Sequence, residues 1–348
     1  MRTLHKILFA LIIFSLAGSL TVFCQDQPDA KLLVKQGVAL HDQGKYDAAL
    51  AKYSEALKLD SSYQSAYYEM AYTLFATGKG NEALPYLEKL ISLNPNSGEA
   101  FDLLGSIYDD NKQPDKAIKY YLRGIKVSPD YQRLYFNVAI TYYRKEMYSE
   151  SEKYAIRAMK LDPKHASSQR IYAMATYKTK KRGCSLLAWC SFLMLEPATK
   201  RSAEAFNYVH AILNYGIKQT GPKSVSITIS DSDLGSGNLL MPMAITTATD
   251  SITTGGKQNL TRVDSLALQL TSLFKIATSI TGEKEDPFVV SYFAKFFNKL
   301  GNTDNMPAFA RFISLSAYRE EDLQWFKDND GKLTALDTWV SNTKREFQ

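Results

Sequence analysis

Residues 30–63, AKLLVKQGVALHDQGKYDAALAKYSEALKLDSSY, decide the fold. Leu33, Gly37 and Leu40 fall three and four apart, Gly44-Lys45 interrupts, and Tyr46, Ala49, Tyr53, Ala56 and Leu59 resume the spacing. Such spacing puts one apolar face on each of two helices joined by a short turn. Gly37 and Ala49 mark where the helices approach closely, because a larger side chain would hold their backbones apart.

The pattern returns four more times at a step of 34 residues. Gly37, Ala71, Gly105, Ala139 and Ala173 keep that step, as do Leu59, Leu93, Val127, Leu161 and Leu195. Ser61, Pro95, Pro129, Pro163 and Pro197 form a third column just past each second helix, where proline stops propagation. The units are 30–63, 64–97, 98–131, 132–165 and 166–199. A single unit cannot bury its apolar face, so stability must come from stacking neighbours.

A 34-residue period is that of tetratricopeptide repeats. The chain resembles that family most closely through Tyr67, Ala71, Leu74, Ala83, Leu87 and Pro95, and through Phe101, Gly105, Tyr108, Ala117, Tyr121 and Pro129. The fourth unit departs from it at Ser151 and Ala155. The fifth keeps Ala173, Ser185, Trp189, Phe192 and Pro197, but Lys180-Lys181-Arg182 replaces the inter-helix turn, as in a modified terminal repeat. The fold class expected is all-α, a superhelix of about five helix-turn-helix units followed by a mainly helical C-terminal region.

The resemblance implies a concave groove walled by the first helix of each unit, with a protein or peptide segment as partner. Outward positions on that wall are Tyr68, Glu69, Tyr72 and Phe75, then Asp102 and Asp109, then Arg133, Phe136, Asn137, Tyr143 and Arg144, then Arg170 and Tyr177. Aromatics on such a wall are anchors, worth about 2 kcal/mol or more on truncation. The alternative is that Tyr68, Tyr72 and Phe75 pack inward and that Asp109 and Asp110 form a solvated face. Members that clamp the acidic tail of cytosolic chaperones use lysine, asparagine and arginine where this chain has Val34, Val38, Glu69, Glu99 and Leu103. Apolar and acidic residues do not hold a carboxylate.

Residues 1–24 carry Arg2 and Lys6, an uncharged stretch from Ile7 to Cys24, then Gln25-Asp26-Gln27, the layout of a secretory signal peptide. Cleavage after Cys24 is the simplest fit. An uncleaved anchor and a lipid-modified Cys24 are the alternatives, the latter opposed by bulky Phe23 where lipoproteins carry a small residue. The expectation is export, with the periplasm as destination and an envelope lipoprotein as alternative. Cleavage lowers the formal charge from +6 by the two charges of Arg2 and Lys6, to +4. So mild an excess, without clustered basic residues, does not predict nucleic-acid binding. Cys184 and Cys190 lie six apart on one expected helix, separated by about 9 Å of rise, and read as buried thiols.

After Pro197 the step disappears, although a helix is expected from Thr199 to Gly216. Residues 219–259 are rich in Gly, Ser and Thr and read as a loop or short-strand segment, with Val225, Ile227 and Ile229 alternating against polar neighbours. Leu239 to Ala248 is apolar and fits a helix capped by Ser236 or Asn238, an exposed segment or a packed loop equally well. From Leu260 the helical stripe returns, Asp286-Pro287 opens an aromatic-rich helix, and Pro307 begins another. This half, through residues 305–309 and 315–318, resembles the region after the repeats in uncharacterised secreted tetratricopeptide proteins of Bacteroidota-like bacteria.

No catalytic set is evident. His41, His165 and His210 lack zinc-site spacing, and neither a phosphate loop nor a nucleophile elbow is present. Asp231-Ser232-Asp233-Leu234-Gly235 and Asp328-Asn329-Asp330-Gly331 lack ligands a calcium loop needs and read as turns. The function expected is a non-enzymatic scaffold or adaptor of the bacterial envelope, without cofactor or metal. The alternative is a soluble receptor for a small ligand or glycan bound between the array and the C-terminal region.

Overall fold

Ten helices carry the repeats: α1 (Ala30–Asp42) with α2 (Tyr46–Leu59), α3 (Gln64–Ala76) with α4 (Gly80–Leu93), α5 (Gly98–Asp110) with α6 (Pro114–Val127), α7 (Gln132–Arg144) with α8 (Tyr148–Leu161), and α9 (Ala166–Lys178) with α10 (Arg182–Leu195). This computed structural model describes residues 29–221, 224–230, 237–254, 260–282 and 285–346. The leader expected at 1–24, with Cys24, and the loop from Asp231 to Gly235 lie outside the described residues.

The small-residue column works as its spacing implies. A Cβ built on Gly105 would lie 2.2 Å from the Tyr121 ring, which is buried between α5 and α6. Ser151 in α8 and Ser185 in α10 each donate from Oγ to the carbonyl of the preceding helix's small residue, Ala139 and Ala173, both at 2.8 Å. The fourth unit's departure from the family pattern is therefore a satisfied buried hydroxyl.

The inter-helix turns form a further column that was not read in the sequence. Gly44, Gly78, Lys112, Glu146 and Lys180 all have left-handed φ, between 58° and 77°. In the fifth unit Lys180 N–H donates to the Tyr177 carbonyl and Lys181 N–H to the Thr176 carbonyl, as Gly78 and Lys79 do to Phe75 and Leu74. The fifth unit thus keeps its turn, contrary to expectation, because Lys180 adopts the conformation that glycine supplies elsewhere. Asn238 secures it, donating to the Lys180 carbonyl at 2.6 Å and accepting from the Arg182 N–H at 3.0 Å. The side chain considered as a cap for its own helix is a clasp on α9 and α10 instead.

The chain divides into two compact units, one ending at Asn94 and the other beginning at Pro95. The first holds α1 to α4, with Ala49, Tyr53, Ala66, Ala71 and Leu87 in its core. In the second, packing continues through the boundary read at 199/200. α11 (Lys200–Leu213) starts 34 residues after Ala166, so the helical step runs one element further than the sequence columns do. Asn207 holds the small-residue position there and ends that column. The apolar residues of α10 meet α11 on one side and the C-terminal helices on another, so all residues from Arg182 to Leu193 are buried.

A two-stranded antiparallel hairpin comes next, β1 (Ile217–Gly221) and β2 (Ser224–Ile227), pairing Ile217 with Ile227. Of the three readings left open for Leu239 to Ala248 within the segment read as loop or short strand, the helix is the one present, as α12 (Leu240–Thr254), whose Met241 and Ile245, four apart, bury on one face. The stripe from Val263 forms α13 (Arg262–Lys275) and α14 (Ala277–Ile280), broken at Ile276. Thr261 and Asp264 make the capping box that starts α13. Residues 287–301 run as α15 (Pro287–Val289), a π turn (Val290–Ala294) and α16 (Lys295–Gly301), with the Asp286 carboxylate accepting from Phe288 N–H at 2.8 Å. α17 (Met306–Ser314), α18 (Arg319–Asp328) and α19 (Lys332–Asn342) complete the all-α fold, and Gly331, at φ 79°, forms the turn expected there. Cys184 and Cys190 are both free and buried.

Candidate protein-binding wall

In the second compact unit, outward positions of α5 bond to those of α7, and an outward position of α9 bonds to α11. Asp102 accepts from Asn137 Nδ2 at 2.6 Å and pairs with Arg133 Nε at 3.0 Å. Asp109 pairs with Arg144. Arg170 Nη2 reaches Glu204 on α11 at 2.6 Å. The separations of 35, 35 and 34 residues are the 34-residue step or one more, so each pair joins one first helix to the next in a polar ladder, and Gln132 Nε2 donates to Ser168 Oγ at 3.0 Å between α7 and α9.

Asp102 is only 2 % exposed, so it is not an accessible groove residue as expected. Arg133 and Asn137 of the next helix close over it. Burial pushes its carboxyl above the usual range, while Arg133 and Asn137 pull it back. At the mouth of the α7 to α9 interval, His165 Nδ1 lies 2.7 Å from Ser168 Oγ and 3.0 Å from Gln132 Nε2. Burial lowers the imidazole pKa, and the ring meets Phe136 edge-on at 5.1 Å. Phe136 and Asn137 are half-buried.

The tyrosines differ from the charges. Tyr143 is half-buried against Tyr148, with ring centroids 5.3 Å apart, and Tyr177 meets Tyr208 edge-on at 5.0 Å. Tyr208 in turn stacks on fully buried Trp189 at 4.8 Å. Burial pushes the Tyr143 hydroxyl up to about 12, with Tyr208 and Tyr148 adding to it. It therefore stays protonated at any physiological pH and keeps its donor. The result is an aromatic pad with partly exposed rings on a wall whose mapped charges pair internally.

The first compact unit carries its own patch. Tyr68 and Tyr72 stack at 6.2 Å, and Tyr72 lies 5.4 Å from His41. His41 Nδ1 is 2.8 Å from Thr73 Oγ1. Tyr72 is exposed, while Tyr68, Glu69 and Phe75 are half-buried.

Sequence reasoning missed Glu204 and Tyr208 because the small-residue and proline columns stop before α11. The signal was present: Glu204 lies 34 residues after Arg170 and carries the opposite charge. Tyr148 and His165 were missed because only first-helix positions were considered. Among the described residues, no group of His, Cys, Asp or Glu side chains is arranged to hold a metal ion.

The family model described as tetratricopeptide repeat matches residues 64–97, 98–131 and 132–165, and one described as TPR repeat matches 37–78. The chain therefore carries tetratricopeptide repeats. Over 100 residues it is 32% identical to Hsp70-Hsp90 organizing protein 1 of Glycine max, covering 29% of this chain and 18% of that protein. Over 139 residues it is 24% identical to protein O-mannosyl-transferase Tmtc3 of Drosophila melanogaster, covering 40% of this chain and 15% of that one. The chain thus spans under a fifth of the length of these relatives. Among solved structures it is similar to YrrB, a TPR protein with an unusual peptide-binding site, at 22% identity and a TM-score of 0.42, covering 53% of this chain and 94% of that one.

Proposed function

We propose that this protein is a non-enzymatic scaffold of the bacterial cell envelope that holds a segment of another protein on the first-helix wall of its repeats. Tetratricopeptide repeat proteins act as protein-protein interaction scaffolds, and the repeats here supply such a preordered surface. The observation that carries the reading is the pad of Tyr143, Tyr148, Tyr177 and Tyr208, with Tyr208 stacked on buried Trp189. Aromatic rings ordered before the partner arrives lose little conformational freedom on binding.

The charge ladder decides what kind of segment fits. Asp102, Asp109, Arg144 and Arg170 are neutralised by neighbours, so a charged partner would have to displace a formed pair. The partner is therefore an uncharged stretch with apolar or aromatic anchors, and the ladder sets the spacing of the wall. The chaperone similarity does not extend to an acidic tail, since Val34, Val38, Glu69, Glu99 and Leu103 occupy the clamp positions. Export through the leader at 1–24 belongs to the same proposal. No described helix is long and apolar enough to cross a membrane.

The test places a photocrosslinker at Tyr177 and, as a control, at exposed Lys126 on α6. The crosslinked segment is identified by mass spectrometry and then titrated as a synthetic peptide. A segment captured from Tyr177 alone, whose affinity falls about 30-fold in Tyr143→Ala, supports the proposal. Equal capture from both positions, or unchanged affinity in Tyr143→Ala and Tyr177→Ala, contradicts it.

A further inference from the structure

Away from the repeat wall, α10, α17 and α19 line a half-open cavity of about 430 Å³. That volume lies within the range of small-molecule sites, about 300–1,000 Å³. Buried Phe309 and Leu336 form its floor. Met194, Phe312 and Val340 wall it, each half-buried. Leu333 is 43% exposed at the opening, an apolar side chain left partly wet beside an apolar hollow.

Polar groups gather on one edge. Leu333, Leu336 and Val340 succeed one another at three and four residues, so one face of α19 lines the hollow. Thr334 and Asp337 are the other α19 residues lining it, and both are exposed. Among the described lining residues, Asp337 is the single charged one. Arg345, which touches Met194 Sδ at 3.5 Å, is engaged with Ser191 Oγ at 2.6 Å and with the Phe296 ring at 4.0 Å. It does not line the cavity.

We infer that this cavity binds a single-chain amphiphile, with an alkyl tail on Phe309 and Leu336 and a cationic head group against Asp337. The tail removes apolar surface from water, the larger part of the driving force. The carboxylate selects the sign of the head, because an anionic head there meets a like charge whereas an ammonium meets an opposite one. Thr334, one turn earlier, offers a hydroxyl to the same head. This ligand is independent of the protein segment proposed for the wall.

The probes are dodecylammonium and dodecanoate, titrated calorimetrically into the full chain below their micellar concentrations. Expected is one-to-one binding in which the ammonium is favoured about tenfold, an attraction and a repulsion each of surface-pair size. Asp337→Asn should remove that preference, and Asp337→Lys should reverse it. Both substitutions are at an exposed position, and circular dichroism checks the helices. Leu333→Arg should abolish binding of both probes, while Tyr143→Ala and Tyr177→Ala leave it unchanged. Folded protein that binds neither probe, equal binding of both by wild type, or an unchanged preference in Asp337→Asn would overturn the inference. Loss of binding in the tyrosine variants would place the amphiphile on the wall and overturn it equally.

Discussion

α7 buries one face and pairs its outward charges with its neighbours, whereas α10, three helices later, is buried from Arg182 to Leu193 on every side. Both are helices of the same repeat array. The difference lies in what covers them: α7 meets further repeats, while α10 also meets the aromatic helices of residues 287–314. On the wall, polar residues link one unit to the next; around α10, Trp189, Phe192, Phe293 and Phe297 exclude water altogether. A wall built this way keeps surface available for a partner, and a helix enclosed as α10 is serves as the joint to the C-terminal region.

The largest effects should fall on the enclosed helix. Trp189→Ala removes a fully buried side chain and should cost about 3–5 kcal/mol in urea unfolding. Exposed Leu161, which ends α8, should give less than about 0.5 kcal/mol when truncated to Ala. Comparable losses at the two positions would break the comparison. Next come the ladder pairs. Asp102→Ala leaves a closed polar pocket without its acceptor and should cost about 2–3 kcal/mol. Asp109→Ala, at the more exposed Arg144 pair, should stay within about 1 kcal/mol and shrink with salt.

The C-terminal region should also respond to pH. Asp322 is fully buried, with Ser314 Oγ donating to it at 2.7 Å, and burial pushes its carboxyl up to about 6. A carboxyl raised above its unfolded value near 3.8 favours the protonated folded state. The stability it contributes is full below about pH 4 and is lost as pH rises through 6. Asp322→Asn should therefore be more stable than wild type by about 2 kcal/mol at pH 7.5 but not at pH 4, measured as urea midpoints across that range. A constant difference would remove the carboxyl as the cause. The smallest effect concerns the turns: Lys180→Gly should stabilise by about 0.5–1 kcal/mol, because glycine adopts the left-handed backbone without steric cost.

The helical step, the close approach at Gly105 and the helix beginning at Asp286-Pro287 were legible because each depends on residues near in sequence. The turn at Lys180 was not, since its conformation is stabilised by Asn238, 58 residues away. α12 was legible only as one of three readings, because its Gly, Ser and Thr surroundings fit a loop as well and the burial of Met241 and Ile245 depends on distant residues. On the wall, the residue positions were read from periodicity, but the pairing of Asp102 with Arg133 and Asn137 depends on the next unit closing over it. Periodicity gives the face a residue occupies; it does not show which neighbour has already claimed its charge.

The most direct measurement compares the partner segment's affinity in Tyr177→Ala with that in the double variant Asp109→Ala/Arg144→Ala, at low and at physiological salt. The account predicts that the tyrosine variant, still folded by circular dichroism, loses affinity about 30-fold, and that the double variant binds as wild type does at both salt concentrations. Full affinity in Tyr177→Ala, with binding lost in the double variant, would contradict it and make the charges, not the aromatic pad, the site of contact.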